Sequence, residues 1–123
     1  MNIAIASDDG INIASHLGKT RGFIIFNIQN DRIWNQWYRK NTFTGHARGL
    51  SGYGHQIDRH SPILEALKDC NVVISKGMGR RIYDDLKQAG IEVFITEEHN
   101  AKNAAERYIK NELIDRPELG CDH

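Results

Sequence analysis

Cysteine is scarce in this chain. Its 123 residues include only Cys70 and Cys121, too few for a disulfide scaffold and without the C-x-x-C pair of a structural zinc site. Net charge is absent too: sixteen Lys and Arg cancel sixteen Asp and Glu. A balanced surface gives no basic footprint for DNA, RNA or an anionic membrane. No apolar run approaches the roughly 20 residues of a membrane span. The opening residues Met1–Ala6 lack the length and basic flank of a signal peptide, so the expected compartment is the cytoplasm. No Ser-His-Asp or Cys-His dyad is visible, and no carboxylate pair has an evident catalytic task. The chain is long enough to bury one core without disulfide or metal.

What is present is a run of alternating strands and helices. Residues 2–7 are apolar enough to be buried on both faces. Asp8-Asp9-Gly10 follows as a turn. Residues 22–28 predict a second strand, 29–32 a hairpin turn, and 33–39 a third strand of mixed polarity that suits an edge. Ser61-Pro62 signals a helix start over 63–68. Residues 71–95 then read as a parallel βαβ unit. An apolar strand runs into Gly77-Met78-Gly79-Arg80-Arg81, a helix carries Ile82 and Leu86 four apart, and Gly90 ends it before a second apolar strand. Asn100 caps a last helix over 101–114, leaving residues 115–123 as a flexible tail. The order βββ, long loop, αβαβα predicts a three-layer α/β domain over 1–114. Its mixed five-stranded sheet has strand 1 central and strand 2 antiparallel, and three helices cover it.

Two segments break the regular pattern. From Lys40 to His60 neither strand nor helix period holds, an uncommon length for a structureless connection in a compact domain. That stretch contains Gly45, Gly49, Gly52 and Gly54, with His46, His55 and His60. Neutral imidazole is a ready metal ligand near pH 7, although the spacing matches neither a zinc finger nor H-E-x-x-H. The second is the turn Gly77, Met78, Gly79, Arg80. Glycines admit a close ligand, a helix start offers N–H donors, and arginines add positive charge. His16, in the loop after strand 1, should lie at the same end of the sheet as Gly77. The bland alternatives are a tight turn with solvated arginines, loop histidines facing water, and a His16 that clamps its own loop. Cys70 reads as a small buried apolar group, Asp8-Asp9 as a turn former, and Cys121 with His123 as an incidental terminal pair.

These residues together resemble a known family. The strand-1 start, His16-Leu17-Gly18 with Phe23 behind it, a histidine before the first helix, and strand–Gly77-x-Gly79–helix–Ala89-Gly90-Ile91-Glu92-Val93 are similar to the dinitrogenase iron–molybdenum cofactor family over roughly residues 1–114. The resemblance implies a ribonuclease-H-like fold. It also implies non-catalytic binding or carrying of an anionic iron–sulfur-type cluster, as in nitrogenase cofactor biosynthesis, with cluster donor and acceptor proteins as partners. On that reading His16, His55 and His60 serve as metal ligands, and Gly77, Met78, Gly79 and Arg80 hold the cluster. Leu17 stands where the family carries an aromatic.

Two other readings compete. Ile3 to Gly10 also resembles the opening of B-type ribose-5-phosphate isomerases, which implies an enzyme on a small phosphorylated metabolite, but that family's catalytic cysteine and later phosphate loop find no match. The aromatic third strand, with Trp34, Trp37 and Tyr38, suits a homodimer interface.

Overall fold

The computed structural model describes residues 1–41 and 61–119. Strand β1 (Asn2–Ser7) is followed by a short 3-10 turn (Leu17–Lys19) and the hairpin β2 (Gly22–Gln29) and β3 (Arg32–Lys40). Helix α1 (Ser61–Leu67) leads into β4 (Val72–Ser75), α2 (Arg80–Gln88), β5 (Glu92–Ile95) and α3 (Ala101–Ile109). The sheet order is β3-β2-β1-β4-β5. β2 runs antiparallel to β1 and β3, while β4 is parallel to β1 and β5. This is the mixed five-stranded sheet with a central first strand that the sequence predicts.

The central strand explains the layers. Ile3, Ala4, Ile5 and Ala6 are all fully buried, and side chains alternate between faces along a strand. Ala4 and Ala6 join Phe23, Ile25, Val73 and Val93 beneath α1 and α2, whose Ile63, Leu67, Ile82 and Leu86 close that core. The small alanines admit the helices closely. Ile3 and Ile5 share the opposite face with Ile24, Phe26 and Ile74, under Ala101, Ala104 and Ala105 of α3. Each layer is thus dry on one side of a sheet that neither side could stabilise alone. No helix among the described residues is long and apolar enough to cross a membrane.

Two details differ from the sequence expectation. Helix α3 ends at Ile109 instead of 114, because Asn111 turns into the left-handed region at φ 60° and Glu112 N–H bonds back to the Arg107 carbonyl at 2.7 Å. Residues 115–119, expected in the tail, lie against β5. Arg116 N–H donates to the Ile95 carbonyl at 2.6 Å, and Ile95 N–H donates to Asp115 Oδ1 at 2.9 Å. The outer edge of β5 is therefore partly covered by the chain itself.

Candidate functional site at the C-terminal ends of the parallel strands

Parallel strands β1, β4 and β5 end on one side of the molecule, where open α/β sheets bind ligands. Their loops are laced together there. Ala14 N–H donates to the Ala6 carbonyl at 2.7 Å, Leu17 N–H to the Gly77 carbonyl at 2.8 Å, and Ile13 N–H to the His99 carbonyl at 2.7 Å. The loop after β1 thus crosses above β4 to reach the start of α3 and returns past the Gly77 turn. Its base is built by carboxylates. Asp9 Oδ1 accepts N–H bonds from Ile11 at 2.8 Å and Asn12 at 2.7 Å, and Asp8 Oδ1 accepts from Arg21 N–H at 2.8 Å and Thr20 Oγ1 at 3.3 Å. Backbone donors hold the Asp9 carboxyl well below its usual range, at about 2. Both acids organise turns, as the sequence reading expects.

The Leu17–Gly77 bond places the His16-Leu17-Gly18 turn directly against the Gly77 turn, so the structure brings together these two predicted positions. His16 caps its own 3-10 turn: its Nδ1 accepts the Gly18 N–H at 3.2 Å. An Nδ1 that accepts fixes the neutral ring with its proton on Nε2.

The predicted turn residues divide into two kinds. Gly77 is buried and turned inward: its N–H donates to Ser75 Oγ at 3.2 Å, and its carbonyl accepts from Ser75 Oγ at 2.8 Å. Met78 is fully buried in the α1/α2 core, so its thioether faces the core and only its backbone is near the turn. Half-buried Gly79 and exposed Arg80 form the outer half. Gly79 is the N-cap of α2 and supplies no side-chain hydrogen bond, and no acidic residue occupies the first turn. A Cβ built on Gly79 meets nothing within 4 Å. Arg80 and Arg81 are both exposed. Helix N-termini ordinarily take Ser, Thr, Asp or Asn as caps and acids in the first turn. Here a glycine and two arginines stand instead, so cap and dipole are both uncompensated among the described residues.

His46, His55 and His60 lie outside the described residues, as do Cys121 and His123. A second histidine does reach this end of the sheet. Lys76 Nζ lies 2.9 Å from His99 Nδ1, on a loop that also lines a 250 Å³ cavity with Thr96, Glu98 and Arg107. His99 was not singled out in the sequence because it stands alone before the Asn100 cap, with no motif around it. Cys70 lies at the start of β4, the opposite end. It is buried beside Asp69 and Arg39, and burial first, then the Asp69 charge, pushes its thiol up to about 12. Among the described residues no three His, Cys, Asp or Glu groups converge as a metal site.

The sequence profile of the dinitrogenase iron–molybdenum cofactor family matches residues 1–111. The chain belongs to that family. It is 31% identical over 94 residues to the uncharacterized protein MJ0580 of Methanocaldococcus jannaschii, covering 76% of this chain and 73% of that one. It is 24% identical over 91 residues to the protein NifX of Klebsiella pneumoniae, covering 74% of this chain and 53% of NifX. The crystal structure of PH0822 superposes with a TM-score of 0.71 at 22% identity, over 94% of both chains. The apo form of the orange protein from Desulfovibrio gigas superposes with a TM-score of 0.69 at 18% identity, over 99% of this chain and 96% of that one. These structural likenesses establish a shared fold.

Proposed function

We propose that this protein is a non-catalytic carrier for an anionic iron–sulfur-type metal cluster, with the cluster as cargo at the start of α2 beside the His16 turn. The observation that carries the reading is the uncompensated helix start. Gly79 leaves the cap unfilled and the space above it open, and Arg80 and Arg81 add positive charge where the helix dipole is already positive. Such a start is unfavourable for the free protein and becomes favourable when an anion sits on it. Family membership and the relation to NifX support a nitrogenase-cofactor-type cargo.

His16 has a defined part in this reading. With Nδ1 occupied by the Gly18 N–H, Nε2–H approaches the cargo as a hydrogen-bond donor to sulfide or oxygen. Direct ligation of iron through Nε2 would require the ring to release the Gly18 bond, since a ligating imidazole carries its remaining proton on the other nitrogen. The residues sequence reading adds, His55 and His60, would supply ligands from outside the described residues. Gly77 and Met78 serve by shaping the turn, and Gly79 and Arg80 by meeting the cargo. Delivery proteins that donate and accept the cluster complete the reading.

The competing enzyme reading gains nothing from the site. The catalytic cysteine of the isomerase family finds no counterpart there: Cys70, the described cysteine, is buried at the other end with its thiol held protonated.

The test is anaerobic reconstitution with an iron–sulfur cluster, read by visible absorption. Wild type should take up the cluster, His16→Ala should lose most of it, and His16→Gln, which keeps an N–H donor, should retain more than His16→Ala. Equal loss in both His16 variants would assign direct ligation instead. Unchanged, featureless spectra for wild type would end the carrier reading.

A further inference from the structure

The end of the sheet opposite the Gly77 turn carries a cavity of its own. β2 runs antiparallel to β1, so the β2–β3 hairpin lies at the end where β1 begins. The last turn of α3 reaches the same end. Between hairpin and helix lies a 570 Å³ cavity, within the roughly 300–1,000 Å³ of small-molecule sites. None of its lining residues belongs to the proposed cargo site.

Local features of both elements shape it. The hairpin turn holds Asn30 at φ 53° and Asp31 at φ 60°, the left-handed pair of a tight two-residue turn, and Asp31 lines the cavity. Strand pairing then jumps from Ile28–Ile33 to Asn27–Asn35, so Trp34 is an extra residue in a bulge, a device that re-aims a side chain. Trp34 lines the cavity and is 72% exposed. Facing the hairpin, Lys102, Glu106, Ile109 and Lys110 recur as one stripe along α3 and its C-cap.

The lining is mixed, and the mixture selects a ligand. Ile33 and Ile109 give apolar walls where the α3 core ends. Lys102 and Lys110 are exposed and stand four residues on either side of Glu106, the spacing of helical ion pairs. Among the described residues neither forms an ion pair with it, and Asp31 and Arg32 form none. Cations and carboxylates therefore line one cavity without meeting each other. A bare inorganic anion would leave the indole unused and meet two acids. An uncharged ring would leave the cations without a partner. A nucleic-acid strand would need a basic surface, and this chain has no net charge. A nucleotide carries all the complements in one molecule: a base to stack on an indole, sugar hydroxyls to donate to a carboxylate, and a phosphate for ammonium groups. We propose that this cavity binds a free nucleotide, with its base on Trp34, its phosphate on the lysines of the α3 stripe and its sugar hydroxyls on Glu106 between them.

The test titrates the full chain with each common ribonucleoside 5′-monophosphate and follows amide NMR shifts and tryptophan emission. At least one should quench emission saturably, with shifts centred on 31–36 and 102–110. The matching nucleoside and inorganic phosphate should each bind about tenfold more weakly or worse, and the 2′,3′-dideoxy nucleotide about fivefold more weakly. A Lys102→Glu, Lys110→Glu protein should lose about tenfold in affinity or more, with its free spectrum otherwise unchanged because both side chains are exposed. Glu106→Gln should narrow the gap between the nucleotide and its dideoxy form. Quenching should survive Trp37→Phe, since Trp37 pairs with Ile25 on the α1/α2 face, and should vanish in Trp34→Ala. No saturable response to any of the nucleotides overturns the proposal, as does equal binding of nucleoside and nucleotide. Shifts centred on 16–18 and 78–82 also overturn it, because the phosphate would then sit at the start of α2.

Discussion

At the scale of single residues, environment overrides intrinsic chemistry. Cys70 is 4% exposed, and with its thiol pushed up to about 12 it stays protonated at pH 8. Alkylation of a Cys121→Ser protein at that pH should therefore need unfolding. Stoichiometric labelling within minutes under native conditions would show that the thiol is accessible after all. Asp9 illustrates the opposite direction. Its folded value of about 2 lies below the ordinary 3.8 because the amides of Asn12 and Ile11 and the Asn12 side chain donate to it. The stabilisation is fully present above about pH 4 and is lost as pH falls through about 2. Asp9→Asn should be less stable than wild type at neutral pH, with the gap narrowing over that acid window in parallel denaturation series. A constant gap down to pH 2 would mean that the carboxylate charge does not organise the loop.

At the scale of elements, α2 joins a strong inner face to a poor beginning. Ile82 and Leu86 are buried, and truncating Leu86 to alanine should cost about 2–5 kcal/mol. The first turn, by contrast, has a glycine cap and two arginines. Gly79→Ser with Arg81→Glu should raise stability by about 0.5 kcal/mol while reducing cluster uptake, a trade expected of a start shaped for a ligand. Lower stability of the double variant would contradict the view of this turn as uncompensated. Much of this was legible in the sequence. The apolar runs of β1, β4 and β5, the Ile82–Leu86 spacing and the Asn100 cap are local signals, and each produced the element expected. Mixed polarity in 33–39 marked β3 as an edge. What failed locally was the end of α3, since the pattern through Ile114 continues past the left-handed Asn111, which sequence period does not register. The site was legible only as candidates. Gly77 and Met78 turn inward through Ser75 and the core, and the Lys76–His99 approach joins residues 23 apart. Such contacts depend on which loops meet after folding, which no short-range spacing encodes.

At the scale of the whole molecule, one side carries the parallel-strand loops, with the His16-Leu17-Gly18 turn bonded to the Gly77 turn and α2 starting beside it, while the nine-residue β3 forms the far edge, unpaired on its outer side among the described residues. The family profile spans residues 1–111, so the whole described sheet with its three helices belongs to the shared framework. The most direct test of the central claim is an amide NMR map of the protein titrated anaerobically with a paramagnetic iron–sulfur cluster. Signals from residues 16–18 and 78–82 should broaden first and together, while those of β3 persist. Broadening centred on any other surface, or none at stoichiometric cluster, would contradict a cargo site at the start of α2.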